Sequence, residues 1–355
     1  MNANNKRDAI TGCILGCAVG DALGLPFEGV SARRIKKFVG NQPLRHRFLF
    51  GSGMISDDTE HTCMVAQCLV DSAGDVDKFS KSLAWRMRWW FIGLPAGIGL
   101  GTLRASLKLW LGFPARCSGV NSAGNGPMMR SAIIGVYAAD DSKRCQALIT
   151  ANTRLTHLDP RAERAAQIVA RLAAALSKNE TLTEHNVLTM VLPWINEDAE
   201  LKALVEQVID SVNNREDALT FCQNQGMKKG VSGYCYATLK VALQIVMRHP
   251  ADYEAAVSEA ILCGGDTDTL AAIVGSIVGA GVGEEGIPQQ WLNGVNDWPR
   301  SVGWMRRLAE QLALIEPGGK GGKALKVIYP FVMLRNAFFM IVVILHGVRR
   351  GLPPY

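Results

Sequence analysis

Two short acidic clusters stand more than two hundred residues apart in this chain: Ser56-Asp57-Asp58-Thr59 and Gly265-Asp266-Thr267-Asp268-Thr269. Each sets two carboxylates and neighbouring hydroxyls at the start of an apolar helical stretch, where hard oxygen ligands can converge on a divalent cation. Helix capping accounts for either cluster alone, because Asp, Ser and Thr accept hydrogen bonds from the free N–H groups of a first turn and complement its dipole. The pair is harder to explain that way. Neither has a Lys or Arg beside it in sequence, adjacent carboxylates in one pocket repel, and a divalent cation removes that cost. Together they predict a two-metal site.

Two further segments carry possible chemistry. Gly124-Asn125-Gly126-Pro127-Met128-Met129-Arg130 reads as a tight turn opening a helix, with Pro127 near its first position. Backbone N–H groups at such a start bind phosphate, although many structural turns share the pattern. His157, in Thr156-His157-Leu158-Asp159-Pro160, precedes another helix start. It reads either as a hydrogen-bonded structural histidine or as an exposed one beside the capping turn.

The elements that must position these residues are helical. Asp159 and Pro160 form an N-cap and first position ahead of Ala165, Ile168, Val169, Leu172 and Leu176, spaced as one helix face. After Thr59, the residues Met64, Val65, Cys68 and Leu69 repeat that spacing, as do residues 217–225, 234–248 and 252–263. The stretch from Leu270 to Gly281 is apolar all round and rich in small residues, which predicts a helix buried at the centre of a bundle with close backbone neighbours. Asp266, Asp268 and Thr269 then sit at the head of a rigid element. Alternating strands bounded by hairpin turns are hard to find, and no internal repeat is apparent. The expected fold class is all-α.

Composition sets the outer limits. A chain of 355 residues, 48% apolar and 20% charged, describes a large buried core with no long internal linker, hence one domain over 1–316 followed by a tail over 317–355. Nine cysteines, an odd number without a C-x-x-C pair, argue against a disulfide framework or a structural zinc site and favour a reducing, cytoplasmic setting. Lys6-Arg7 and the short apolar run to Cys17 faintly resemble an export signal, but the run leads straight into Gly20-Asp21-Ala22-Leu23-Gly24 and reads as part of the fold. After Glu316 come Lys320, Lys323, Lys326, Arg335, Arg349 and Arg350 and no acid, which accounts for the whole net charge of +6. The body is left balanced, at 32 basic and 32 acidic residues, which excludes a phosphate-neutralising surface for nucleic acid.

With these residues in view, the chain resembles the ADP-ribosylglycohydrolase family, including the dinitrogenase-reductase-activating type. The resemblance runs through Gly16 to Glu28, Ser56-Asp57-Asp58-Thr59, Gly124 to Arg130, Thr156 to Ala162 and Gly264 to Thr269, five blocks in order over residues of about 10–310. It implies a compact multi-helix globule with two divalent cations, magnesium or manganese, in a central cleft. By position, Ser56, Asp57 and Asp58 match one set of ligands, and Asp266, Asp268 and Thr269 the other. Glu28 matches an acid on a gating loop, and Glu28, Asp58 and Asp268 are the candidate catalytic carboxylates. Gly124, Asn125, Gly126, Met128 and His157 match positions that hold the diphosphate and ribose, and an aromatic at Tyr234 or Tyr236 is placed to stack on adenine. The implied activity removes ADP-ribose from modified side chains, arginine-linked ones foremost, or from a small acceptor, through an oxocarbenium-like transition state. One position departs from the pattern. Pro95-Ala96-Gly97-Ile98-Gly99 carries Gly97 where some members have an Asp, which puts that acid's role toward arginine-linked substrates in doubt.

Two other functions compete. The family fold could serve as a binding partner that neutralises a cognate ADP-ribosyltransferase, against which stands the full set of ligand positions. Asp266-Thr267-Asp268-Thr269 also resembles the nucleophile loop of haloacid-dehalogenase-like phosphatases, but that loop follows a buried strand and this one follows a helical stretch. The tail leaves three placements open. Residues 327–345 are long and apolar enough to span a bilayer, yet Pro330 and the central Arg335-Asn336 oppose insertion. The segment packs on the body or a partner, lies in a membrane interface through residues 327–350, making the chain peripheral, or spans; Gly318 to Gly322 would act as a hinge.

Overall fold

The computed structural model describes residues 3–40 and 42–351. Among them are seventeen α-helices and one two-stranded antiparallel sheet, Val30–Ser31 against Gly264–Gly265, so the all-α expectation holds.

At the centre, helix Ala3–Gly24 lies antiparallel to helix Thr267–Val282. Glycine recurs every fourth residue along the first, at 12, 16, 20 and 24, and i, i+4 positions share one face. A Cβ at Gly12 would stand 2.1 Å from the Gly279 carbonyl oxygen, at Gly16 2.2 Å from that of Gly275, and at Gly20 2.2 Å from that of Ala271. The two backbones therefore meet with no side chain between them. Gly24 continues the series, its would-be Cβ falling 2.4 Å from the Thr267 oxygen, so the end of one helix is held at the head of the other. The Thr267 hydroxyl locks this junction by donating to the Gly24 carbonyl at 2.9 Å.

Helix Asp57–Ser72 packs beside this pair and is buried along almost its whole length. Its N-cap is Ser56, whose hydroxyl accepts from the Asp58 N–H at 3.3 Å. Asp159 caps helix Pro160–Ser177 as its sequence predicts, accepting from the Arg161 N–H at 2.9 Å.

The glycine-rich stretch expected to act as a hinge is instead strapped to the body. Gly318 N–H donates to the Ala73 carbonyl at 2.7 Å, Gly322 N–H to that of Val70 at 2.8 Å, and Ala324 N–H to the Asp71 carboxylate at 3.0 Å. Beyond it, helix Tyr329–Arg350 docks on the body through apolar Val332, Phe339 and Val342 and through its polar residues. The buried Arg335 guanidinium pairs with Asp297 at 2.5 Å, and the same Asp297 accepts from the Ile55 N–H at 3.0 Å. Asn336 donates to the Gly93 carbonyl at 2.7 Å, His346 meets the Pro26 carbonyl at 2.9 Å, and Arg350 donates to the Glu28 carbonyl. Arg335 and Asn336, which oppose insertion in a bilayer, are among the residues that fix the helix to the protein.

Candidate active site

Three element ends meet at one place: the Leu25–Phe27 turn leading to Glu28, the head of Asp57–Ser72, and the head of Thr267–Val282. The short sheet pairs Val30 with Gly265 and so ties the Glu28 segment to the second acidic cluster, helped by Gly29 N–H donating to the Gly265 carbonyl at 2.7 Å. Gly264 and Gly265 both hold positive φ, 72° and 83°, and their would-be Cβ atoms meet backbone, at 2.5 Å from Ala32 N and 2.1 Å from the Val231 oxygen. Glycine is required at both.

The two acidic clusters are in direct contact. Thr269 donates through its hydroxyl to Asp58 Oδ2 at 3.2 Å, and Ser56 donates to the same oxygen at 3.1 Å. Asp266 occupies the N-cap position of its helix but makes no capping bond. Its carboxylate instead accepts from the Asn125 amide at 2.7 Å. Capping therefore explains Ser56 and fails to explain Asp266.

Asp21, from the last turn of the first helix, lies beneath the clusters. One of its oxygens accepts from the Ser56 N–H at 2.8 Å, the Thr59 N–H at 3.2 Å and the Thr59 hydroxyl at 2.5 Å, orienting the head of Asp57–Ser72. Burial pushes its carboxyl up to about 6 against those bonds. Burial likewise pushes the carboxyls of Asp57, Asp58 and Asp268 well above the usual range, and the charge of neighbouring carboxylates adds to it. Glu28 is raised by desolvation and by Asp266, with Arg350 opposing.

Clustered acids with raised carboxyls, and no basic side chain bonded to them, ask for a cation. Among the described residues no three His, Cys, Asp or Glu side chains are already closed around one point. The donors nevertheless fit a hard divalent ion: Asp58 Oδ1 and Asp268 Oδ1 are buried without a hydrogen-bond partner, and carboxylate and hydroxyl oxygens are the ligands magnesium and manganese take. Buried unpartnered oxygens are rare because they lose their hydration without replacement.

A cleft of about 570 Å³ opens over this floor, lined by Glu28, Asp57, Asp266, Asp268 and Thr269 together with Gly124, Asn125, Gly126 and His157. Would-be Cβ atoms at Gly101, Gly124 and Gly126 would fall 2.8, 3.0 and 3.3 Å from the His157 ring, so these glycines leave the space the imidazole fills. Behind the ring, Thr156 Oγ1 lies 2.8 Å from His157 Nδ1, and the buried Arg130 donates to that hydroxyl at 2.8 Å. Arg130 is itself held by the Asn152 side chain at 2.8 Å.

Several expected site residues do not line the cleft itself. Ser56 and Asp58 are buried below the cleft surface rather than on it. Met128 is fully buried and points into the core; Met129 is the methionine that reaches the cleft. The turn after Gly124 is a short 3-10 segment, Met128–Arg130, and the N–H groups of Asn125, Met128 and Met129 are already bonded to carbonyls of Gly233 and Asn125. Its contribution is the Asn125 side chain and room beside His157 rather than a ring of free N–H groups. Tyr234 does not line the cleft; its hydroxyl donates to Glu200 at 2.7 Å. Tyr236 is buried, with its hydroxyl on Asp198 at 2.6 Å, and presents no face to a ligand. Sequence reasoning gave no role to Asp21, Thr102 or Ser122, the last two of which line the cleft. A carboxylate flanked by Gly20 and Ala22 inside an apolar helix is the signal for Asp21; nothing in the sequence marks the other two.

The ADP-ribosylglycohydrolase family model matches residues 2–320. The chain is 26% identical to the ADP-ribosylarginine hydrolase Tri1 of Serratia proteamaculans, over 88% of this chain and 81% of that one. It is 24% identical to the ADP-ribosyl-[dinitrogen reductase] glycohydrolase of Rhodospirillum rubrum, over 82% and 92%, and 29% identical to an uncharacterized protein of Archaeoglobus fulgidus, over 80% and 90%. A solved structure described as an ADP-ribosylglycohydrolase-related protein complex superposes with a TM-score of 0.64 at 26% identity, covering 88% of this chain and 99% of that one. The chain belongs to the ADP-ribosylglycohydrolase family, hydrolases that act on glycosyl bonds.

Proposed function

We propose that this chain is a metal-dependent hydrolase that removes ADP-ribose from arginine side chains of modified proteins. The observation that carries the reading is the joining of the two acidic clusters through Asp58, with unpartnered carboxylate oxygens on Asp268 in the cleft wall and on Asp58 buried just beneath it. Ser56, Asp57, Asp58, Asp266, Asp268 and Thr269 would hold two divalent cations, magnesium or manganese. Bound there, they would neutralise the clustered acids and act as Lewis acids toward the ribose hydroxyls and a water.

The chain's own residues supply the rest. Asn125 lines the cleft with both amide hydrogens spent, one on Asp266 at 2.7 Å and one on the Thr238 hydroxyl at 3.1 Å, so it steadies Asp266 and keeps only its carbonyl oxygen as an acceptor. His157, walled by glycine backbone, orients the nucleotide portion from the side. Glu28, at the lip of the cleft, is the acid placed to take a proton from the attacking water, with Asp58 and Asp268 shaping the field beneath. An acidic cleft also suits arginine, whose ribosylated guanidinium is cationic; when the C1″–N bond breaks the electron pair stays on nitrogen, and the neutral guanidine that leaves takes up the proton removed from water. Two relatives named for ADP-ribosylarginine hydrolysis support that choice. Gly97 lines the same cleft at φ +76° with open space around its would-be Cβ, so the acid missing there is missing from the site itself.

The test supplies arginine-linked and serine-linked ADP-ribosylated protein with magnesium or manganese to wild type, Asp58→Ala and Asp268→Ala. Wild type is expected to release ADP-ribose from the arginine-linked substrate, and each variant to lose at least about a hundredfold in kcat. Release from neither substrate would refute the hydrolase reading, and retention of an ADP-ribosyltransferase by that inactive chain would replace it with a binding role.

A further inference from the structure

The last helix, Tyr329–Arg350, is apolar on both sides and keeps its central polar residues inside. Arg335, Asn336 and His346 are buried against the body together with Val332, Phe339 and Val342. Its solvent side carries Leu334, Phe338, Ile341, Leu345 and Val348, exposed by 62, 44, 56, 57 and 64%. Met340 and Ile344, also exposed, widen this stripe, which at 3.6 residues per turn sweeps about half the circumference. The helix passes for a membrane span by length and hydropathy, yet a third of its most apolar window is buried in the protein.

Three observations identify what covers the outer face. A second helix would need a narrow seam at a and d positions, whereas this face is far broader and suits disordered acyl chains. Every charge after Glu316 is positive, with Lys320, Lys323 and Lys326 before the helix and Arg349 and Arg350 at its end; two copies pairing here would set like charges together, whereas anionic headgroups neutralise them. Aromatic rings continue from the start of the helix onto the body, Tyr329 to Trp89 at 5.4 Å and Trp89 to Trp110 at 6.2 Å, and indole and phenol rings favour the headgroup level of a bilayer. Spanning would strip Arg335 from its buried partner Asp297 and place it in hydrocarbon.

We propose that the outer face of helix Tyr329–Arg350 lies in the surface of an anionic lipid bilayer while its inner face stays docked on the body. The helix that would be gripped by lipid also bonds the carbonyls of Pro26 and of the cleft-lining Glu28, so the Glu28 segment stands directly on the membrane-bound element.

The test needs no catalysis and is therefore independent of the proposed function. The full chain is sedimented with vesicles of phosphatidylcholine alone and of phosphatidylcholine with phosphatidylglycerol, beside Ile341→Asp/Leu345→Asp, whose changed side chains face solvent and leave the docked face intact. Wild type is expected to bind the anionic vesicles at least about tenfold more tightly than neutral ones, and the double variant to lose about tenfold or more while keeping its helical circular dichroism. The proposal is overturned by absence of binding to anionic vesicles, or by equal binding of the double variant. A vesicle-indifferent dimer that the double variant converts to monomer would assign the face to a second copy, and resistance to alkaline carbonate extraction would assign it to a spanning helix.

Discussion

The Thr156 hydroxyl accepts from Arg130 at 2.8 Å and lies 2.8 Å from His157 Nδ1 and 3.5 Å from the Thr153 carbonyl, which leaves Nε2 as the ring nitrogen beside Gly101 and Gly124 at the cleft. Burial, reinforced by the Arg130 charge, lowers the His157 pKa from 6.5 to about 3, so the ring is neutral at physiological pH. The unfolded chain takes up a proton first. Stability from His157 is therefore full above pH 6.5 and is lost as pH falls toward 3. At pH 5 the loss is about 2 kcal/mol. Urea unfolding at pH 8 and pH 5 checks it: wild type should lose about that much more on acidification than His157→Gln, and equal losses would show that the folded ring titrates normally.

Among elements, the glycine ridge of the first helix decides how near Glu28 comes to Asp268. Gly16→Ala places a methyl group where the Gly275 carbonyl already stands and should cost at least about 2 kcal/mol by forcing two backbones apart. Gly347→Ala is the control, since its would-be Cβ meets nothing within 4 Å and alanine favours a helix by up to about 1 kcal/mol. Thermal unfolding should lower Tm for the first and leave or raise it for the second; a neutral Gly16→Ala would show that the helices can separate freely. The requirement for small residues is legible at Leu270 to Gly281, but the partner ridge at 12, 16, 20 and 24 is recognisable only once the two helices are seen together. Met128 and Met129 show a matching limit at single positions, because a tight 3-10 turn, rather than a regular helix, sets which of two adjacent side chains meets the cleft.

At the scale of the whole molecule, folding gathers acids that repel one another, so the cation proposed for the site should contribute stability as well as chemistry. Adding magnesium or manganese to the chelated chain should raise Tm by several degrees, about 2.7 kcal/mol at a hundredfold excess over Kd, and a chelator should reverse it. Asp268→Asn should blunt the response; no shift with either ion would separate the fold from the metal. The sequence by itself determined the helical class, the cap at Asp159 and the five ordered blocks that mark the family, because capping, periodicity and motif spacing are local or nearly so. Tertiary structure alone decided that Asp58 bonds across 211 residues to Thr269, that Asp21 supports both Ser56 and Thr59, that Tyr236 turns away from the cleft, and that Arg335 and Asn336 make the apolar tail a docked helix. Each depends on which faces meet, and a buried polar group reveals its partner only when packing has excluded water from everything else around it.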